Sequence, residues 1–151
     1  MIGRVMHIGV TVSDMKKSKH FYQDILGLDF KGELLMSGQE TETLFNSKNT
    51  KAKVAYFNGS NEIIAPPIEL IQFIDDDIDC RLSNLKRTSI SEICFQVKNI
   101  DEVYKYLINN HVECLSAPQA FDFSKYGFSK SKALYFKDPD GIILELMEII
   151  E

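Results

Sequence analysis

The feature that most constrains this chain is an internal repeat. Advancing by 85 residues pairs His7 with Glu92, Val12 with Val97, Asp14 with Asn99 and Phe21 with Tyr106. Toward the end of each half, Ile68-Glu69-Leu70 matches Leu144-Glu145-Leu146 at an offset of 76, the difference being absorbed by changed loop lengths. A duplicated chain of 151 residues reads as two small modules that share one plan.

The plan emerges from the hydrophobic pattern. Alternation predicts a strand over Val5–Val12, and Ser13 or Asp14 offers a cap for a helix carrying Met15, Phe21, Tyr22, Ile25 and Leu26. Gly27 suits the end of that helix. A strand over Leu28–Leu35, a polar stretch with a short helix over 38–51, and strands over Lys53–Phe57 and Ile68–Ile74 complete the first half. A turn at Asn58-Gly59-Ser60-Asn61 and the pair Pro66-Pro67 separate the last two strands. The second half repeats the order: a strand over Ser91–Val97, Asn99 as cap, a helix over Ile100–Asn110, then strands near Val112–Leu115, Lys132–Phe136 and Ile142–Ile149. Asp138-Pro139-Asp140-Gly141 has the chemistry of a hairpin turn. The fold class is therefore α+β: a βαβββ module over residues 1–75, an acidic linker over 76–88 and a second βαβββ module over 89–151.

Composition narrows the function classes. With 44% hydrophobic residues, the chain can bury a core without disulfides. Cys80, Cys94 and Cys114 are odd in number and form no CxxC pair, so they read as buried or idle thiols in a reducing cytosol. A net charge of −5 with scattered lysines argues against nucleic acid. The run Asp75-Asp76-Asp77 with Asp79 reads as solvated linker, lacking the glycine and terminal glutamate of a calcium loop. No signal-peptide pattern opens the sequence and no apolar run is long enough for a bilayer, so a cytoplasmic protein without membrane contact is expected.

Four polar residues stand out against the repeat. His7 and Glu92 hold one position of each first strand, and Glu69 and Glu145 hold one position of each last strand. Side chains alternate between strand faces, so each of these last-strand glutamates points away from its two apolar neighbours. Either one alone fits a solvent-facing residue. Occurring in both halves, they point to a shared groove in which three carboxylates and an imidazole converge. Without a cation, such carboxylates repel and at least one takes up a proton; a divalent ion removes that cost.

The stretches Met6-His7-Ile8-Gly9-Val10, Phe21-Tyr22 with Leu26-Gly27-Leu28, Ile68-Glu69-Leu70, Glu92-Ile93-Cys94-Phe95 and Tyr135-Phe136-Lys137-Asp138-Pro139-Asp140-Gly141 through Leu144-Glu145-Leu146 cover nearly the whole chain. Together they resemble the vicinal oxygen chelate superfamily, which includes glyoxalase I, methylmalonyl-CoA epimerase, extradiol dioxygenases, and fosfomycin and bleomycin resistance proteins. The resemblance implies two βαβββ modules forming a curved mixed β-sheet groove. It places metal ligands at His7, Glu69, Glu92 and Glu145 around one divalent ion: Mn, Ni, Co, Fe, Mg or Zn. At Glu92 the chain departs from metal-binding relatives, which usually carry histidine there. The oxygen-rich set favours harder ions over zinc and weakens a dioxygenase reading.

By the same resemblance, the expected reaction is proton transfer next to a carbonyl in a small-molecule substrate bound through vicinal oxygens, as in an isomerase, epimerase or glyoxalase-type lyase. Glu145 is the expected base, and Glu92 either the fourth ligand or a second base. The alternatives are a non-catalytic small-molecule-binding protein like the bleomycin resistance proteins, or a fold whose metal has been lost through the change at Glu92. Relatives of this size commonly pair, so a homodimer is expected. Phe121, Phe123, Tyr126 and Phe128, in a glycine-containing loop, form a candidate lid or packing surface; His20 and His111 read as surface residues, and Arg4 as a surface residue or one that reaches the groove to meet a substrate anion.

Overall fold

The computed structural model describes residues 3–58, 67–74 and 77–150. The expected turn at 58–61, Pro66 and the Asp75-Asp76 part of the acidic run fall, wholly or in part, outside the described residues. The chain divides into two compact units, Met1–Cys80 and Arg81–Glu151.

In the first unit, β1 (Ile8–Thr11) leads to α1 (Met15–Lys19), then β2 (Phe30–Met36), α2 (Gln39–Phe45), β3 (Lys51–Phe57) and β4 (Ile68–Ile74). The sheet order is β1-β4-β3-β2, with β1 and β4 parallel and the other pairs antiparallel. In the second unit, β5 (Ile93–Gln96), α3 (Ile100–Asn109), β6 (Gln119–Asp122), β7 (Lys130–Lys137) and β8 (Ile143–Ile150) give the order β5-β8-β7-β6, again with only the first and last strands parallel. The fold class is α+β, as the repeat requires. Parallel partners need a crossover, and in each unit a helix follows the first strand.

Local chemistry sets the helix boundaries. Asp14 accepts a hydrogen bond from the Lys17 N–H at 3.0 Å, and Asn99 accepts one from the Glu102 N–H at 3.4 Å. After Lys19 the first helix widens into a π-helical turn over His20–Ile25, burying the adjacent rings of Phe21 and Tyr22. Gly27, at φ +70°, ends the segment. Tyr22, Phe57, Ile68 and Leu70 centre the core of the first unit; Ile100, Leu107, Phe136 and Leu144 centre that of the second.

Two expected boundaries differ by more than two residues. The first strand begins at Ile8 rather than Val5, leaving His7 immediately before the ladder. Near Val112–Leu115 only a bridge forms, Cys114 opposite Phe136, and pairing resumes at Gln119 opposite Ala133. Five steps along one side thus match three along the other. The break is at Ser116-Ala117-Pro118, where Pro118 has no N–H to give the ladder. Consequently Phe121, expected in a loop, lies in β6.

Candidate functional site

In β4, Ile68 and Leu70 face the core under the helix, and Glu69 takes the opposite face. Gly9 lies opposite Glu69 on one side and Tyr56 on the other. His7 shares the face of Gly9, and its Nε2 stands 3.2 Å from Glu69 Oε2. The Tyr56 hydroxyl hydrogen-bonds to Glu69. Burial, followed by the charge of Glu69 and that bond, pushes the phenol up to about 12. The His7 ring meets Tyr56 edge-on, with centroids 6.5 Å apart. Glu69 is only 8% exposed, so its carboxylate is satisfied by partners rather than by bulk water.

The second unit repeats the layout with different chemistry. Glu145 of β8 is 9% exposed, with Cys94 opposite it on β5 and Tyr135 opposite it on β7. The Cys94 thiol hydrogen-bonds to Glu145. Burial, then that bond and the charges of Glu145 and Glu92, push the thiol up to about 12. Tyr135 is also raised, by burial first and then by the charges of Glu145, Glu92 and Cys94. Glu92 sits immediately before β5, as His7 sits immediately before β1. Register therefore equates His7 with Glu92, Gly9 with Cys94, Tyr56 with Tyr135 and Glu69 with Glu145.

The structure brings His7 onto Glu69 in one unit and sets Glu92 and Glu145 on the same thiol in the other. Among the described residues, no group of three or more His, Cys, Asp or Glu side chains is placed to hold a metal ion. The His7–Glu69 pair itself fits two neighbouring positions on a divalent cation. Donors about 2.1 Å from an ion and at right angles to each other stand roughly 3 Å apart.

Sequence reasoning missed Tyr56, Tyr135 and Cys94. The tyrosines become visible once the repeat is aligned across hairpins with unequal turns. Cys94 has Gly9 as its counterpart, so the repeat gave no reason to single it out. Cys94 and Cys80 are exposed rather than buried, and the Cys94 thiol has a partner in Glu145. The other residues weighed from sequence lie elsewhere: Arg4 is exposed, His20 Nδ1 bonds Asp24 at 2.7 Å, and His111 takes φ +59° just after α3. Phe121, Phe123, Tyr126 and Phe128 are all exposed, the first two stacked with centroids 5.6 Å apart. Among the described residues no helix is long and apolar enough to cross a membrane.

A family model described as the Glyoxalase/Bleomycin resistance protein/Dioxygenase superfamily matches residues 4–146. The mitochondrial methylmalonyl-CoA epimerase of Mus musculus is 26% identical over 148 residues, covering 96% of this chain and 72% of that protein. A glyoxalase family protein from Bacillus cereus superposes with a TM-score of 0.81 at 17% identity, covering 100% of this chain and 97% of that one. The trypanothione-dependent glyoxalase I of Leishmania major gives a TM-score of 0.64 at 18% identity, covering 97% of this chain and 87% of that one. At such identities the two solved structures establish a shared fold.

Proposed function

Since the chain belongs to the glyoxalase/bleomycin resistance protein/dioxygenase superfamily, we propose that it is a metal-dependent isomerase, epimerase or glyoxalase-type lyase that moves a proton next to a carbonyl. The observation that carries this reading is the repeated placement of a nearly buried glutamate between two flanking strands: Glu69 bonded by Tyr56 and met by His7, Glu145 bonded by Cys94 and neighboured by Glu92. Nearly buried carboxylates with raised phenol and thiol neighbours are an arrangement that clusters at functional sites.

The ligand set proposed is His7 and Glu69 from one unit with Glu92 and Glu145 from the other. When bound, a divalent ion would act as Lewis acid toward two neighbouring substrate oxygens. Glu145 takes the proton from the carbon beside the carbonyl, and Glu92 is the fourth ligand or a second base. Cys94, protonated at neutral pH, donates to Glu145 and fixes its orientation; Tyr56 does the same for Glu69. A methylmalonyl-CoA-like thioester is a natural first substrate class given the epimerase relative. The same reading has the protein working as a homodimer in the cytoplasm.

A second reading is sequestration of a small molecule without catalysis. It is favoured by the lack, among the described residues, of any group of three metal-ligand side chains. Metal analysis of protein purified without chelator separates the two. About one manganese, nickel, cobalt, iron, magnesium or zinc ion per chain, lost in both His7→Ala and Glu145→Gln, supports the enzyme and shows that both half-sets serve one ion. Deuterium uptake from D2O into a thioester, hemithioacetal or α-hydroxycarbonyl substrate then identifies the reaction, and Glu145→Gln should abolish it. Metal-free protein that exchanges none of these substrates overturns the enzymatic reading.

A further inference from the structure

The first unit carries a concavity of about 750 Å³ on the opposite face of its sheet from the His7–Glu69 pair. The strand register fixes this. Lys53 and Gln72 are direct partners on β3 and β4, and Gln72 lies three residues past Glu69, so its side chain faces the helix side. Gln72 forms the floor and is held rigid, since its Oε1 accepts from the Met15 N–H at 3.1 Å and its Nε2 donates to the Ser13 carbonyl at 3.2 Å. The wall comes from α1 and from the π-helical turn, which contributes His20, Gln23 and Asp24. Such a turn is a rare departure from the α-helix and tends to occur at functional sites.

The charges around this space are unevenly satisfied. Every lining carboxylate has a partner: Asp14 caps the helix at the Lys17 N–H, Asp24 bonds His20 at 2.7 Å, and Glu33 pairs with Lys19 at 3.0 Å. The exposed side chains of Lys16, Lys53 and Gln23 have no hydrogen bond or ion pair among the described residues. Two ammonium groups and an amide therefore line one recess with their donors unused, while the local acids are already engaged. The volume falls within the range of small-molecule sites, roughly 300–1,000 Å³.

We propose that this recess binds a small oxyanion, the carboxylate or phosphate group of a metabolite, between Lys16 and Lys53. An anion there would gain charge-assisted hydrogen bonds from the two ammonium groups. This site is separate from the proposed catalytic face and stands whether or not that reading holds.

The test is an NMR titration of the ¹⁵N-labelled full chain with inorganic phosphate and, separately, succinate. Saturable shifts are expected at Lys16, Gln23, Lys53 and Gln72. The K16Q/K53Q variant should bind at least about tenfold more weakly, a loss of roughly 1.4 kcal/mol. Saturation by phosphate alone assigns a phosphate ester, and by succinate alone a carboxylate. The K16R/K53R variant keeps both charges and should keep the affinity, which separates lost charge from a damaged fold. The proposal is overturned if neither probe approaches saturation by about 10 mM, that is, if both bind with a Kd weaker than about 1 mM. It also fails if K16Q/K53Q binds as well as the parent, or if the shifts centre on His7 and Glu69.

Discussion

Cys94 and Glu145 face each other across the parallel pairing of β5 and β8, thiol to carboxylate. Cys94 is exposed as a residue, yet partial enclosure of its sulfur, the bond to Glu145 and two nearby negative charges hold it as a thiol. Accessibility and reactivity therefore separate at this residue, because the thiolate is the nucleophile. Iodoacetamide at pH 8 should modify Cys94 only slowly, as read by peptide mass spectrometry. Glu145→Gln removes one charge and should speed the reaction, by about tenfold for each unit by which the thiol falls. Burial, the largest cause, stays in place, so recovery should be incomplete. Fast alkylation of the parent protein would refute the Cys94–Glu145 bond.

The raised groups also set how stability depends on alkaline pH. Tyr56 and Cys94 each go from an ordinary value of 10.0 or 9.0 up to about 12 in the folded chain. The unfolded chain thus releases these protons first as pH rises, and the folded chain binds more protons over that interval. Stability from both groups is complete below about pH 9 and drains away as pH climbs toward 12. Urea unfolding at stepped pH should show midpoints falling above pH 9. Tyr56→Phe and Cys94→Ala should each flatten that decline. A parent curve that stays level to pH 11 would contradict both assignments.

How much of this was legible in the sequence depends on which interaction decides each feature. The repeat carried the fold class because burial patterning and caps are local: Asp14, Asn99 and Gly27 act where their neighbours in sequence place them. Ser116-Ala117-Pro118 misled because a bulge is defined by the partner strand, and Phe136 opposite Cys114 is not visible from either segment alone. The π-helical turn was equally hidden, since its apolar positions also fit an ordinary helix. For the candidate site, the repeat picked out His7, Glu69, Glu92 and Glu145, and the structure sets His7 against Glu69. Tyr56 and Tyr135 escaped because a tyrosine in an apolar strand looks like core, and only the register shows each opposite a glutamate.

The two helix caps should differ in worth. Asp14 holds the Lys17 N–H at 3.0 Å, whereas Asn99 holds the Glu102 N–H at 3.4 Å. Asp14→Ala should cost about 1 kcal/mol and Asn99→Ala nearer ~0.5 kcal/mol, spanning the lower half of the range for such caps. Equilibrium urea unfolding resolves the difference. A larger loss for Asn99→Ala would mean that its cap matters beyond the hydrogen bond.

Two glycines make opposite predictions. Gly9, the counterpart of Cys94, does not take a positive φ, and a Cβ there would meet only Ile71 Cδ1 at 3.5 Å, an ordinary contact. Gly9→Ala should therefore be neutral or stabilising by about 0.4–1 kcal/mol, because it narrows the unfolded ensemble without straining the fold. Gly141 sits at φ +77° in the turn where Asp138 Oδ1 accepts from the N–H groups of Asp140 and Ile142, both at 2.9 Å. A Cβ at Gly141 would approach Leu82 Cδ2 to 3.1 Å, and the left-handed backbone penalises any side chain. Gly141→Ala should cost about 1–2 kcal/mol, chiefly from the backbone, since the Leu82 tip can move aside. Thermal unfolding of the two variants side by side gives the answer. If both lose stability equally, the space beside Glu69 is not open, and the contrast between Gly9 and Cys94 loses its meaning.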